Sequence, residues 1–528
     1  MRLPTGISEG PSMHQQVLVP SPGSPEELAV FAELQERFPR MYREVFSDPK
    51  APRTVVVVPS MSLDEGELAK IPGVIHYEER MLCLLMLLKL PRTQLIYVTS
   101  TALDPAVVDY YLHLLPGIPG RHARDRLQLL SMGDPSLTPL SAKILSRPER
   151  LEKLKRLIRF PEAAHLTCFN STALERSLAV QLGIPMYACD PSLSHLGNKS
   201  RSRSTFRDVG LDLPPGFEDL RDRRDIVDAL VELAMTEPDV QRAVVKLNDG
   251  FSGEGNAVAH LKPVGEAASP HKAAERLVLE GLEFEAKEES WEEYEPKFEA
   301  MGGIVEALIE HDRIRSPSVQ MRIDPLGKVQ LVSTHDQMLA GPSGHVFLGC
   351  TFPARKSYRS DLHHAGYQVA EALKTHGVIG RFGVDFVSTP ESEGWRHYAI
   401  EINLRKGGTT LPYLMLDFLT DGEYDPDSGE FHTPVGDTRY YYATDNLVKN
   451  TYVGLTPGEL IDAAVFEGLH YNATSQQGLV FHLLGSVTDH GKLGMVSIAG
   501  SRRDARSQYE AAVTALDRST AGFPDRTR

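Results

Sequence analysis

Three polar side chains at the end of one apolar strand are the residues best suited to chemistry. Residues 398–400 (Tyr-Ala-Ile) are typical of a strand, and Glu401, Asn403 and Arg405 follow at alternate positions. Side chains alternate along a strand, so these three are expected on one face. Residues 407–410 (Gly-Gly-Thr-Thr) come next as a turn. Carboxylate and amide oxygens suit Mg²⁺, and a guanidinium beside a glycine pair suits a phosphate.

A second acidic strand precedes the first. Residues 383–387 (Gly-Val-Asp-Phe-Val) have a strand pattern and carry Asp385. The polar segment 388–394 separates the two strands and is typical of a hairpin loop. We therefore expect the strands to be antiparallel neighbours. Two acidic strands with a cation beside a glycine turn indicate a metal–nucleotide site.

Composition sets the limits for that site. A chain of 528 residues is too long for one core, so two to four domains are expected, and 41% hydrophobic with 24% charged residues is ordinary for a soluble enzyme. The net charge of −15 argues against a general nucleic-acid or anionic-membrane binder, because the overall field would repel phosphate. Four scattered cysteines without a CxxC pair predict reduced, buried thiols in a cytoplasmic protein. The start lacks a signal-peptide pattern, and the apolar run 81–88 is too short to span a bilayer.

The order of segments predicts four regions. Residues 1–49 are expected to form a tail and a helix, and residues 50–195 alternate strands and helices, which indicates a doubly wound α/β domain without a GxGxxG motif. Residues 196–450 carry the acidic strands in lobes of about 196–302 and 303–450. Residues 451–528 predict a small α+β domain. The predicted fold class is therefore α/β and α+β multidomain.

A lysine and a glycine-rich loop form a second polar group. Residues 243–246 (Ala-Val-Val-Lys) predict a strand that half-buries Lys246, and the following segment 250–255 holds three glycines. The bare N–H groups of such a loop can wrap phosphate oxygens. Glycine turns between strands are common, but a strand lysine directly before this one strengthens the interpretation. The next strand, at 303–310, carries Glu306, which with its backbone is suited to recognise an adenine edge.

These motifs, in this order, resemble the ATP-grasp superfamily. They are the basic segment 197–203, the lysine with its glycine loop, the Glu-x-hydrophobic-hydrophobic strand and the Glu-x-Asn-x-Arg strand. The 47-residue spacing between Lys199 and Lys246 fits the same arrangement. The N-terminal α/β region resembles a pre-ATP-grasp domain. Residues 468–471 and 480–485 resemble the appended domain of pheganomycin-type peptide ligases.

The resemblance implies a set of site residues. Those implied to bind the nucleotide are Lys199, Lys246, Gly250, Ser252, Gly253, Gly255, Glu306, Leu308, Glu310 and His335. Those implied to hold two Mg²⁺ ions, for which Mn²⁺ can substitute, are Asp385, Glu401 and Asn403. Arg405 and Lys246 would be catalytic, with Arg405 steadying the transferring phosphoryl group. The ribose contact is left open between Glu310 and Asp312, and Gln337 would lie near the nucleotide or substrate.

The implied activity is an ATP-dependent ligase that joins a carboxylate to an amine through an acyl phosphate and releases ADP and phosphate. Its partners would be a small-molecule or peptide carboxylate and an amine, with no nucleic acid and no membrane, and a homodimer is left open. Two alternatives remain: an ATP-grasp enzyme with a non-amine acceptor such as a thiol or bicarbonate, and a non-catalytic nucleotide-binding scaffold.

Overall fold

The structure is a computed structural model of the chain, and it describes residues 20–63, 65–250, 255–286, 289–340 and 346–520. The predicted loop residues Ser252 and Gly253 lie outside these ranges. None of the described helices is long and apolar enough to cross a membrane. The four cysteines are buried free thiols, as predicted.

Nineteen strands lie within the described residues. They are β1 (Arg53–Val58), β2 (Thr93–Thr99), β3 (Leu127–Ser131), β4 (Ala164–Cys168), β5 (Gly216–Leu220), β6 (Arg242–Leu247), β7 (Asn256–His260), β8 (Glu283–Phe284), β9 (Gly303–Ala307), β10 (Pro317–Ile323), β11 (Val329–Ala340), β12 (Val346–Phe352), β13 (Gly380–Pro390), β14 (Trp395–Asn403), β15 (Glu423–Asp425), β16 (Glu430–His432), β17 (Tyr440–Val448), β18 (Gly478–His482) and β19 (Lys492–Ala499).

Seventeen α-helices lie among these strands. They are α1 (Pro25–Met41), α2 (Glu65–Ala69), α3 (Pro105–His113), α4 (Gly120–Arg124), α5 (Leu140–Leu145), α6 (Pro148–Leu157), α7 (Ala173–Leu182), α8 (Lys199–Asp208), α9 (Arg223–Thr236), α10 (Lys262–Gly265), α11 (Pro270–Arg276), α12 (Trp291–Met301), α13 (Arg359–Thr375), α14 (Thr410–Thr420), α15 (Pro457–Phe466), α16 (Val487–His490) and α17 (Arg502–Thr520). A 3₁₀-helix spans Val74–Lys89 and contains the apolar run 81–88.

The N-terminal region is a parallel sheet with strand order β3-β2-β1-β4. Its central strand β1 shows why the sequence has an unbroken run of valines. Val55 and Val57 pack into one hydrophobic core, whereas Val56 and Val58 pack into another on the opposite face. A strand covered on both faces needs apolar side chains at every position. The predicted doubly wound α/β arrangement is confirmed.

The middle of the chain forms an antiparallel sheet with strand order β5-β9-β6-β7-β8. Helix α9 packs Ile226 and Leu230 against it, and α12 contributes Tyr294 and Phe298 to the same core. This core fixes β6 beside β9, with Val244 opposite Glu306 in the register. The side chain of Lys246, two residues further along β6, is thereby brought next to the carboxylate of Glu306.

An eight-stranded sheet, in the order β14-β13-β10-β11-β12-β17-β19-β18, carries the acidic strands at one edge. Strand β17 pairs with β19, and β19 pairs with β18, so the sheet continues across the boundary predicted at residue 450. Both strands of the predicted C-terminal region therefore complete the large sheet, and the domain boundary at residue 450 stays a prediction. Pairing over such distances in the chain leaves no local sequence signal.

Close packing of two of these strands generates a first prediction. A Cβ atom added to Gly494 of β19 would lie 2.0 Å from Cε1 of the buried His482 on β18. Gly494→Ala should therefore lower the free energy of unfolding by about 1–3 kcal/mol, the usual cost of overpacking a core. Gly500→Ala is the matched control, because its added Cβ meets its nearest atom only at 4.0 Å. Thermal denaturation compares the two variants, and equal melting temperatures would contradict the packing argument.

Candidate active site

Two carboxylates face each other across the antiparallel pair β13 and β14. Asp385 lies opposite Glu401, and the register shifts by one residue directly beyond them. The amide Nδ2 of Asn403 donates to Asp385 Oδ2 at 2.9 Å and to Glu401 Oε1 at 3.2 Å. Gln337 on β11 donates to Asp385 Oδ1 at 2.7 Å. The predicted hairpin and the shared face of Glu401 and Asn403 are confirmed.

The two acids differ in their electrostatic surroundings. Burial, followed by the neighbouring Glu401 carboxylate, raises the pKa of Asp385 to about 7. Burial by itself also acts to raise the pKa of Glu401, but Lys199, Lys246 and Arg405 outweigh it and hold that pKa below its ordinary value. Opposite charges favour an ionised carboxylate, whereas a like charge disfavours it. Glu401 is therefore the acid that stays ionised at neutral pH.

The three cations around Glu401 come from three separate elements. Lys199 is the first residue of α8, and its Nζ lies 3.9 Å from Glu401 Oε2. Lys246 lies on β6 and is 3% exposed. Arg405 follows the end of β14. Burial lowers its pKa, and the nearby carboxylates of Glu401 and Asp385 act against this lowering. The next residue, Lys406, donates from Nζ to the carbonyl oxygen of Cys168 at 2.6 Å, which ties this turn to the N-terminal sheet.

These groups line one cavity of about 410 Å³ between the sheets. Eight of the residues predicted for the site line this cavity: Lys199, Lys246, Gly250, Gln337, Asp385, Glu401, Asn403 and Arg405. Apolar walls are supplied by Phe347, Phe169 and Leu339. The cavity can therefore hold a polyanionic ligand. The lysines would bind it on one side, and cations bound by the carboxylates would bind it on the other.

The donor set fits Mg²⁺. The described residues contain no group of three or more His, Cys, Asp or Glu side chains around one point. Two carboxylates with one amide are nonetheless sufficient, because Mg²⁺ keeps several waters and takes further oxygens from substrate phosphates. The Nδ2 group of Asn403 now bridges Asp385 and Glu401, so a bound ion requires this amide to present Oδ1 instead.

Four residues predicted to contact the nucleotide do not line this cavity: Glu306, Leu308, Glu310 and His335. Glu306 accepts from Lys246 Nζ at 2.7 Å and from Arg203 Nη1 at 2.7 Å, so its buried carboxylate belongs to an ion network, and its contact with adenine stays a prediction. The backbone N–H of Leu308 already donates to the carbonyl oxygen of Arg242. Glu310 lies at the surface and pairs with Arg242 at 2.5 Å.

His335 is the fourth of these residues. Its side chain is fully buried, its Nε2 pairs with the hydroxyl of Tyr441 at 2.6 Å, and its ring packs against Phe352. Burial lowers the pKa of His335 to about 3, so the ring is neutral. Aromatic side chains cover this part of β11, and a contact of His335 with the nucleotide stays a prediction. Gln337, two residues along, reaches the cavity.

Several lining residues were not predicted from the sequence, and five of them lie together at one end: Tyr77, Arg80, Asp445, Asn446 and Lys492. The first two lie on the Val74–Lys89 helix, and the others lie on β17 and β19. In the sequence only the polar pair Asp445-Asn446, inside a mostly aromatic and apolar strand, indicates a functional position, and it does not indicate a partner.

Gly255 is the last residue of the predicted glycine loop. It has a φ of +80°, and its carbonyl oxygen accepts a hydrogen bond from the Tyr294 hydroxyl.

Comparisons with known families agree with this geometry. A family model described as "IQCH-like, ATP-grasp" matches residues 191–289 and 281–427, and one described as "PGM1 C-terminal domain" matches residues 459–512. The first match contains both lysines, both acids and Arg405. Residues 191–427 are therefore similar to an ATP-grasp family, in agreement with the resemblance noted from the residues.

Two curated proteins resemble this chain along most of its length. The L-propargylglycine–L-glutamate ligase of Streptantibioticus cattleyicolor is 28% identical, over 88% of this chain and 94% of that protein. The IQ motif-containing protein H of Danio rerio is 23% identical, over 86% of this chain. The chain spans about half of the latter protein, 47% of its length.

Two solved structures share the fold. The biotin carboxylase–β,γ-ATP complex from Campylobacter jejuni matches with a TM-score of 0.52 and 13% identity, over 88% of this chain and 91% of that one. The biotin carboxylase domain of the Hydrogenobacter thermophilus 2-oxoglutarate carboxylase, solved with MgADP, ADP and bicarbonate, matches with a TM-score of 0.52 and 14% identity, over 88% and 89%. At such identities the likeness establishes the fold alone.

The ion network that Glu306 forms with Lys246 and Arg203 can be tested without nucleotide. Glu306→Gln leaves Lys246 and Arg203 facing a neutral side chain, and breaking a buried pair in this way costs about 3–5 kcal/mol. The melting temperature of the nucleotide-free protein should fall clearly. Glu310→Gln is the control on the same segment, because its half-exposed pair with Arg242 is worth about 0–1 kcal/mol. A Glu306→Gln variant that melts like wild type yet binds ATP poorly would support the adenine role.

Proposed function

We propose that this ATP-grasp protein is an ATP-dependent ligase that joins a carboxylate to an amine, forms a peptide or amino-acid amide, and releases ADP and phosphate. One observation carries the proposal: Lys199 and Lys246 meet Asp385, Glu401 and Arg405 in a single cavity. Similarity over most of its length to a protein named as an L-propargylglycine–L-glutamate ligase supports an amine acceptor.

The nucleotide is proposed to lie with its phosphates between the two buried lysines and the acidic strands. Lys199 and Lys246 bind phosphate oxygens directly, and Gly250 opens the loop that follows β6. Asp385, Glu401 and Asn403 would hold the magnesium ions, which neutralise charge on the phosphate oxygens when bound. Mn²⁺ as a substitute and the number of ions belong to the proposal as well.

Arg405 is proposed to stabilise the group that is transferred. It lines the cavity near both acids and follows β14 directly, so its guanidinium lies next to the proposed metal site. A carboxylate that enters beside it attacks the terminal phosphorus roughly in line with the departing ADP oxygen. The amine nitrogen then bonds to the acyl carbon, the bond to phosphate breaks, and the amine gives up one proton. Positioning and preorganised charge do most of this work.

Two alternatives are less well supported. A non-amine acceptor such as bicarbonate has only the shared fold of the carboxylases behind it. A non-catalytic scaffold gives no reason for two facing carboxylates in a cavity with three cations. The cytoplasmic location and the homodimer suggested by the sequence remain proposals. A screen for ADP release with pooled amino acids and peptides, followed by mass spectrometry of the products, tests the ligase function itself.

Metal dependence is the first catalytic prediction. Glu401→Gln removes the acid that stays ionised, so ADP formation should be abolished while the fold is kept, and EDTA should stop the wild-type enzyme. A metal ligand contributes several kcal/mol of charge stabilisation in the transition state. Glu391→Gln, in the exposed turn of the same hairpin, is the matched control and should keep full activity. Turnover that persists in EDTA would refute the metal site.

The route through an acyl phosphate makes a second catalytic prediction. With a carboxylate substrate labelled with ¹⁸O, one label should appear in inorganic phosphate, and AMP should not accumulate. Arg405→Ala should lower kcat by about 10²–10³, the scale for one lost charge-stabilising donor, and change the affinity for ATP much less. Arg396→Ala on the exposed part of β14 is the control. Unlabelled phosphate, or AMP as a product, would exclude this route.

A further inference from the structure

The cavity has a second polar end that the mechanism above does not use. It is formed by Tyr77 and Arg80 from the Val74–Lys89 helix and by Asp445, Asn446 and Lys492 from β17 and β19. Arg80 is near enough to Arg405 to contribute to the lowering of its pKa. This end therefore adjoins the position at which the carboxylate is activated. We call these five residues the distal cluster.

Lys492 is the residue in the distal cluster that needs an explanation. It is 5% exposed, its Nζ donates to the hydroxyl of Tyr77 at 2.7 Å, and it lies 4.9 Å from the centre of the same ring. Among the carboxylates in the described ranges, none forms an ion pair with Lys492. A buried ammonium without a counter-charge is costly, and natural proteins usually pair it. A neutral phenol and a ring face supply only part of that compensation.

The neighbouring cation, Arg80, is already paired. Its guanidinium forms an ion pair with Asp445 and stacks 3.9 Å from the centre of the Tyr77 ring. Asp445 is placed there by a bulge: between Thr444 and Leu447 strand β17 has one residue more than β19, and Asp445 and Asn446 lie in that irregularity. Bulges of this kind re-aim side chains next to active sites. Asp445 therefore holds Arg80 in place and leaves Lys492 as the cation that lacks an acid.

We infer that Lys492, with Arg80 beside it, binds the free carboxylate of the amine substrate, which is therefore an amino acid. This inference rests on the proposed ligase function and names the class of its acceptor. The acceptor has to bring its amine to the acyl carbon near Arg405, and an adjoining anion site fixes its other end. A simple amine would leave Lys492 uncompensated, whereas a carboxylate completes both the charge and the hydrogen bonding of the cluster.

Binding is tested first, without turnover. The full chain is held with Mg²⁺ and the non-hydrolysable analogue AMPPNP, and its melting temperature is measured with each of the twenty L-amino acids and with their carboxamides. At least one free amino acid should raise the melting temperature, and its carboxamide should not. Lys492→Met should weaken this binding about 10- to 100-fold, the range for losing one hydrogen bond to a charged group, and Lys492→Arg should restore most of it.

Two controls separate binding from structure. Without ligand, Lys492→Met should melt at or above the wild-type temperature, because it replaces an uncompensated buried charge by an apolar side chain of similar length; a structural lysine would lower it. Lys262→Met, on an exposed lysine of the other lobe, should behave as wild type. Absence of any shift with all twenty amino acids, or unchanged binding by Lys492→Met, would overturn the inference.

Turnover then separates the two proposals and the two substrates. Lys492→Met should raise the KM of the amine-bearing amino acid about 10- to 100-fold and leave the KM of ATP and of the activated carboxylate within about twofold. A rise confined to the activated carboxylate, or equal rates with amines that have no carboxylate, would refute the assignment of Lys492 while the ligase function stands. Amino-acid binding without ADP release from any tested pair would refute the ligase function and leave the binding site.

Discussion

The site depends on two carboxylates that an antiparallel strand pair holds opposite each other. The register that places Asp385 against Glu401 is fixed by backbone pairing, so the charges cannot move apart. Like charges at such a distance do not both ionise unless cations compensate them. Lys199, Lys246 and Arg405 supply that compensation for Glu401, and Asp385 keeps a raised pKa. A bound divalent cation would remove the remaining conflict.

The lysine that serves the site is itself held by a second charge network. Glu306 is shared between Lys246 and Arg203, and Arg203 also donates to Glu218 and to the carbonyl oxygen of Pro214. This network lies between β6, β9 and helix α8, so it fixes the lobe that carries both lysines. A preorganised cation loses less freedom when a phosphate binds than a flexible surface lysine does. Glu306 thus acts on the nucleotide site through Lys246.

Sequence reasoning succeeded where a local pattern determines the outcome. The alternation of Glu401 and Asn403 on a strand, the polar hairpin behind them and the lysine directly before a glycine loop each depend on residues close in the chain. The position of a residue could not be predicted where strands distant in the chain determine whether it is covered or faces the cavity. His335 and Gln337 lie two positions apart on β11, and both are polar residues that could serve a site. Phe352 and Tyr441 come from other strands and cover His335, whereas Gln337 reaches the cavity. The pairing of β17 with β19 is likewise set by long-range packing.

The two ends of the cavity differ in how easily they can be predicted from the sequence. The phosphate end is built from short motifs, whose residues must keep fixed spacings to reach one ligand. The distal cluster joins a helix near residue 80 to strands near residues 445 and 492, and each contributes one or two side chains. Changing any of these segments alters the shape and charge at the acceptor end without disturbing β13 or β14. On the proposed function, the Val74–Lys89 helix and strands β17 and β19 are therefore the segments that select the acceptor, whereas Lys406 ties the turn after β14 to Cys168 of the N-terminal sheet.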